Sequence, residues 1–242
     1  MGMKGSGAAK DYRVVTEHEH GFGWIAYPDE TMQRASHALV VDGDGQDSSA
    51  GGTASSAGEV WVVDPVDVPG LDERLAERGE VAGVVVTLDR HKRDSAAIAN
   101  RHDVPVYIPN WFEGVAEELN APVERFGNRL GDTGFRVLRL RDNRFWQEAG
   151  LWNPETKVLW VPESVGTVNY FCGSGERLGV HPMLRAVPPR RQLDGIDVEV
   201  LAVGHGAGIQ TDASHALTEA LANSRKKMLG LYAKNARSFL PF

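Results

Sequence analysis

Residues 81–94, VAGVVVTLDRHKRD, constrain the fold more tightly than any other stretch, because an apolar run empties there into a short and heavily charged loop. Val84, Val85 and Val86 are too uniformly apolar for a strand with one wet face, so they predict a central strand covered on both sides. The loop that follows lies at the strand's carboxyl end, the edge at which layered α/β folds gather ligands and catalytic groups. Ser-Ala-Ala-Ile-Ala then begins a helix, with Asp94 or Ser95 placed to cap it.

The rest of the chain supplies partners for that strand. Residues 12–16 and 22–27 read as short strands around the turn His18-Glu19-His20-Gly21, and 34–41 and 59–63 as two more. His18 and His20 are expected as exposed turn residues, with a metal contact the alternative; His37 is expected as a hydrogen-bonded structural histidine. Residues 42–58, DGDGQDSSAGGTASSAG, contain no large apolar side chain and are expected to be a disordered hairpin tip inserted in a single domain spanning 1–242. A helix over 71–78 makes the crossover that a parallel pairing needs, and a further helix over 96–102 leads to a strand at 104–109.

The second half begins with the alternating strand FRVLRLR at 135–141. Segments 145–152 and 157–162 form a hairpin, 198–203 a strand, and 212–234 one long amphipathic helix. Trp111 and Phe112 suit either packing or a pocket mouth. Residues 173–191 read as a surface connection whose arginines, Arg185 among them, have the chemistry to clamp a carboxylate or phosphate. The apolar end Phe239-Leu240-Pro241-Phe242 is expected to dock on its own chain or on a partner subunit.

Composition narrows the function. A formal net charge of -7 argues against general nucleic-acid or anionic-membrane binding. The single cysteine, Cys172, leaves no intrachain disulfide and no cysteine metal cluster, which suits a reducing cytoplasm. The start of the chain lacks the apolar core of a secretion signal, and nothing approaches the roughly 20 apolar residues of a membrane span. The expected location is therefore cytoplasmic.

The order strand, Thr-led polar turn, helix resembles the metallo-β-lactamase superfamily, whose metal motif T-H-x-H-x-D-H follows such a strand. Read from Thr87 without gaps, Leu88 and Arg90 stand at the spaced histidines, and Lys92 and Arg93 at the aspartate and last histidine. Aligning Asp94 with the motif's aspartate puts Arg90, Lys92 and Ser95 at the histidine positions. Arg141-Asp142-Asn143-Arg144 replaces the family's Pro-Gly-His-Thr turn. Two positions keep ligand chemistry: Glu163, where the family ends a strand in Gly-Asp, and His205 in Gly204-His205-Gly206, which matches the turn carrying the family's last metal histidine. Asp64 stands where the family uses an aspartate to orient the metal loop.

The resemblance implies a four-layer αββα sandwich. It also implies that the usual two-metal site is lost, since ammonium and guanidinium groups repel a dication. The reading this supports is a cofactor-free cleft in which Arg90, Lys92, Arg93, Asp94 and Asp64 surround an anionic small molecule, with His91, His205 and Glu163 as candidate catalytic groups. The alternative is a hydrolase that uses one divalent metal such as zinc, with His91, His181 or Asp64 completing a set begun by His205 and Glu163, or that uses His and Glu as acid and base. A third reading is a non-catalytic protein in which the loop's charges pair internally.

Overall fold

The computed structural model describes residues 9–41 and 58–238. The expected tip at 42–58 falls almost wholly outside these residues, as does the apolar end at 239–242. The strands β1 (Arg13–His18), β2 (Gly21–Ile25), β3 (Ala35–Val41) and β4 (Gly58–Val63) run as an antiparallel meander. Helix α1 (Leu71–Ala76) crosses over to β5 (Gly79–Val85), which lies parallel to β4. Helix α2 (Ser95–Arg101) crosses to β6 (Val106–Pro109), and β7 (Val123–Phe126) adds a seventh strand parallel to it.

The second sheet joins β8 (Arg136–Asn143), β9 (Trp146–Asn153), β10 (Val158–Val161) and β13 (Val200–Val203) in the order β13-β10-β9-β8. A two-stranded pair, β11 (Val165–Gly166) and β12 (Gly179–Val180), and a short helix α3 (Arg190–Leu193) lie between β10 and β13 in the chain. Helices α4 (Ala213–Asn223) and α5 (Met228–Ser238) close the described chain.

Three apolar interfaces make this a four-layer sandwich. One packs Leu71, Leu75 and Ile98 of α1 and α2 against Val60, Val62 and Val84 on the outer face of the first sheet. The central one joins Leu39, Trp61, Val63 and Val85 of the first sheet to Leu151, Trp160 and Ala202 of the second. The third packs Ala216, Leu217 and Ala220 of α4 on Leu159, Leu201 and Val203. Val84 and Val85 thus point to opposite faces and are both fully buried, as the continuous apolar run requires.

Several expectations change. The long helix over 212–234 is two helices, because Ser224 turns its hydroxyl back to donate to the Leu221 carbonyl and the charged turn Arg225-Lys226-Lys227 follows. Strand β8 runs through residues 141–143, where the sequence suggested a turn, because their partners on β9 continue to Trp146. The connection at 173–191 is not simply surface: Arg185 is fully buried and paired with Glu176, so its guanidinium is used internally. His18 is half-buried and stacks on the buried His37, their Nε2 atoms 3.2 Å apart, instead of standing in solvent. Among the described residues no helix is long and apolar enough to cross a membrane.

Candidate metal centre

The carboxyl ends of β4 and β5 deliver the first part of the site. Asp64 follows β4 at φ +45°, a left-handed conformation that turns its carboxylate back under the next strand end. There Oδ1 accepts from the Thr87 amide at 2.7 Å, and Oδ2 accepts from the Thr87 hydroxyl at 2.8 Å. The Thr87 hydroxyl in turn accepts from Trp160 Nε1 at 2.9 Å, which ties this corner to the second sheet. Burial pushes the Asp64 carboxyl up to about 7, against the opposing pull of Arg93 and the Thr87 donors.

His91 completes this corner. Its Nδ1 lies 3.1 Å from Asp64 Oδ2, and its Nε2 lies 3.3 Å from an Arg93 terminal nitrogen. A guanidinium only donates, so Nε2 is the accepting nitrogen, and Nδ1 carries the proton and gives it to Asp64.

The second sheet brings Glu163 and His205. Gly204 and Gly206 leave room for the turn that carries His205: a Cβ on Gly204 would lie 2.1 Å from the Pro162 carbonyl oxygen, and Gly206 sits at φ +97° against Thr167. His205 Nδ1 donates to the Met32 carbonyl at 2.9 Å. Its Nε2 therefore bears a lone pair, is buried, and has no hydrogen-bond partner among the described residues. Burial, with the charges of His91 and Arg93 adding to it, holds the ring neutral far below the usual imidazole range.

Glu163 follows β10 and is aimed by a carboxylate that sequence reasoning missed. Glu148, fully buried in β9, accepts from the amides of Glu163 and Ser164, the Ser164 hydroxyl and Trp146 Nε1, at 2.6–3.0 Å. Three of these donors belong to the turn that presents Glu163 and hold it to β9. The signal was a lone acid inside the otherwise uncharged strand WQEAGLWN.

These groups converge. One ligand atom from each of His91, Glu163 and His205 lies within 4.8 Å of the others. His91 Nε2 is 3.8 Å and His205 Nε2 4.0 Å from the Glu163 oxygens. Both imidazoles have their protons fixed on Nδ1 and their lone pairs in the site, the tautomer that a metal-binding histidine needs. His181 differs: its Nδ1 accepts from the Met183 amide, so its Nε2–H faces Glu163 Oε1 at 3.5 Å as a donor, and burial followed by the charge of Arg90 lowers it to about 4. Counting along the family motif passes over His91, yet His91 is the loop's imidazole that meets Glu163 and His205.

The loop's three cations are not brought together. Arg90 lies at the mouth over the Trp146 ring, pairing with Asp89 and donating to the Phe145 carbonyl. Lys92 turns away to Glu118 and the Asp89 carbonyl. Arg93, at φ +40°, reaches beneath His91 to donate to the carbonyls of Ala35, Asp64 and Gly204. Asp94 holds the N-cap position of α2 without capping through its side chain; its carboxylate accepts from the Asp67 amide at 2.8 Å, outside the His-Glu cluster. Trp111 stacks beneath Arg139, and Phe112 is buried in the outer core. Asp142 pairs with Arg139.

Known structures match the fold across nearly the whole chain. TMB-1 superposes with a TM-score of 0.54 at 15% identity, over 89% of this chain and 97% of that one. The DIM-1 metallo-β-lactamase exposed to ceftazidime matches with a TM-score of 0.54 at 15% identity over 90% and 100%. The fold is that of the metallo-β-lactamases. A diflavin flavoprotein fragment from Nostoc sp. PCC 7120, described as putative, shares this metallo-β-lactamase fold with a TM-score of 0.57 at 14% identity over 91% and 99%. Proteins described so differently share the fold, so the fold leaves the chemistry to the site. No protein-family model matches the chain, and no curated protein does.

Proposed function

We propose that this chain is a hydrolase of metallo-β-lactamase fold that works with one divalent metal ion held by His91, His205 and Glu163. The observation that carries this reading is the convergence of two accepting Nε2 atoms and a carboxylate within 4.8 Å, the second nitrogen buried with no hydrogen-bond partner among the described residues. Three protein ligands with a position left open is the usual make-up of a catalytic zinc site, and the donors suit zinc, iron or manganese. When bound, such an ion supplies Lewis-acid activation of water near neutral pH.

The chain's own groups serve that chemistry in distinct ways. Asp64 holds the His91 ring by accepting its Nδ1 proton, and the Met32 carbonyl does the same for His205. His181, neutral and with its proton on Nε2 beside Glu163, is placed to donate a hydrogen bond to an oxygen on which negative charge develops. Trp146, itself buried, packs edge-on to the His181 ring at 5.0 Å between centroids. Arg90, with a side chain 43% exposed over Trp146, is the cation that an anionic substrate meets first.

A second reading, a metal-free cleft that binds an anionic small molecule, is favoured by the Arg93 guanidinium against His91 Nε2. Metal analysis of the purified protein decides between the two. About one tightly held ion per chain, lost in His91→Ala and in His205→Ala, is expected; full metal depletion with anion affinity intact and sensitive to Arg90→Ala supports the second reading.

A further inference from the structure

The Arg93 guanidinium and a metal ion would make the same claim on His91. An imidazole nitrogen has one in-plane lone pair, which accepts a hydrogen bond or binds an ion but does not do both. That lone pair on His91 Nε2 faces an Arg93 terminal nitrogen 3.3 Å away. We propose that Arg93 is an internal competitor for the metal: with no ion bound its guanidinium holds His91 Nε2, and loading an ion requires this hydrogen bond to give way. The proposal rests on the reading of His91, His205 and Glu163 as the ligand set.

The geometry shows how the bond gives way without dismantling the corner. One terminal nitrogen of Arg93 makes two short bonds, 2.6 Å to the Ala35 carbonyl and 2.7 Å to the Asp64 carbonyl. The other makes two long ones, 3.3 Å to His91 and 3.4 Å to the Gly204 carbonyl. The guanidinium is anchored on one side and loosely held on the other, so a pivot about the anchored nitrogen releases His91 first. Arg93 Nε is buried and has no hydrogen-bond partner among the described residues, so it does not oppose such a pivot. The competitor also carries fixed positive charge, so an ion entering beside it meets repulsion until the guanidinium swings away. Asp64, Glu163 and Glu30 are the acidic groups that act on it, and Arg34 adds like charge.

The test is zinc affinity, measured on the full chain by chelator competition for wild type, Arg93→Gln and Arg93→Lys. Glutamine keeps a polar amide on the shared stem while losing the charge and the fork, and it is too short to reach His91 as the guanidinium does. Arg93→Gln is expected to bind zinc at least about tenfold tighter than wild type, about 1.4 kcal/mol by the tenfold rule, with Arg93→Lys between them. Zinc bound by Arg93→Gln alone supports the proposal most strongly. Equal or weaker binding by a folded Arg93→Gln overturns it while leaving the metal reading in place. If neither protein binds zinc, both readings fall. A variant-free check follows the Arg93 side-chain N–H resonances of the wild type: zinc is expected to shift them and speed their exchange with water, and resonances unchanged at zinc saturation overturn the proposal.

Discussion

Glu148 has four donors on its carboxylate and no cation paired with it among the described residues; burial raises its pKa while those donors oppose the rise. Replacing it by alanine leaves the Glu163 and Ser164 amides, the Ser164 hydroxyl and the Trp146 indole N–H without an acceptor. A loss of about 3 kcal/mol in unfolding free energy is expected, read by chemical denaturation. Zinc affinity is expected to fall with it, since the turn bearing Glu163 loses its anchor. At this scale the sequence was informative where chemistry is local. Gly-His-Gly announced a tight turn with a histidine at its tip, and Glu163 announced a carboxylate after a strand. It was silent on direction: three neighbouring cations in the loop leave it by three routes, because their partners, Trp146, Glu118 and the Gly204 carbonyl, come from distant parts of the chain.

Strands β1 and β3, through His18 and His37, carry a pH dependence of their own. His18 is lowered to about 4, by burial first and then by the charges of His20 and Arg78, and burial lowers His37 well below 6.5. Between the folded pKa and 6.5 the unfolded chain takes up protons that the folded chain refuses, so stability falls as pH drops through that window. His37→Gln is expected to flatten this acid limb; denaturation midpoints measured across it with the same slope as wild type would show that the stacked pair is not its source. Among the elements, strands with strong patterns were legible: 34–41, 59–63 and 198–203 appear within a residue or two of β3, β4 and β13. Strand β7 was missed because Val-Glu-Arg-Phe is too short to show an alternation, and it exists by pairing with β6. The break between α4 and α5 was hidden by an apolar stripe that continues across it.

The two sheets share one core, and that determines how the molecule should come apart. Leu151 of β9 is fully buried among side chains of both sheets. Leu151→Ala is expected to cost about 2–5 kcal/mol in one cooperative transition; hydrogen exchange in β3 and in β10 should shift by the same amount, and a shift confined to the second sheet would mean that the halves unfold separately. The four-layer arrangement was legible only through the family resemblance, since no periodicity says which apolar faces meet. His91 arrives on a loop from the first sheet, whereas Glu163 and His205 arrive on turns from the second. An ion gripped by all three would act as a rivet through the seam, and its escape would be the earliest sign that the layers had begun to part.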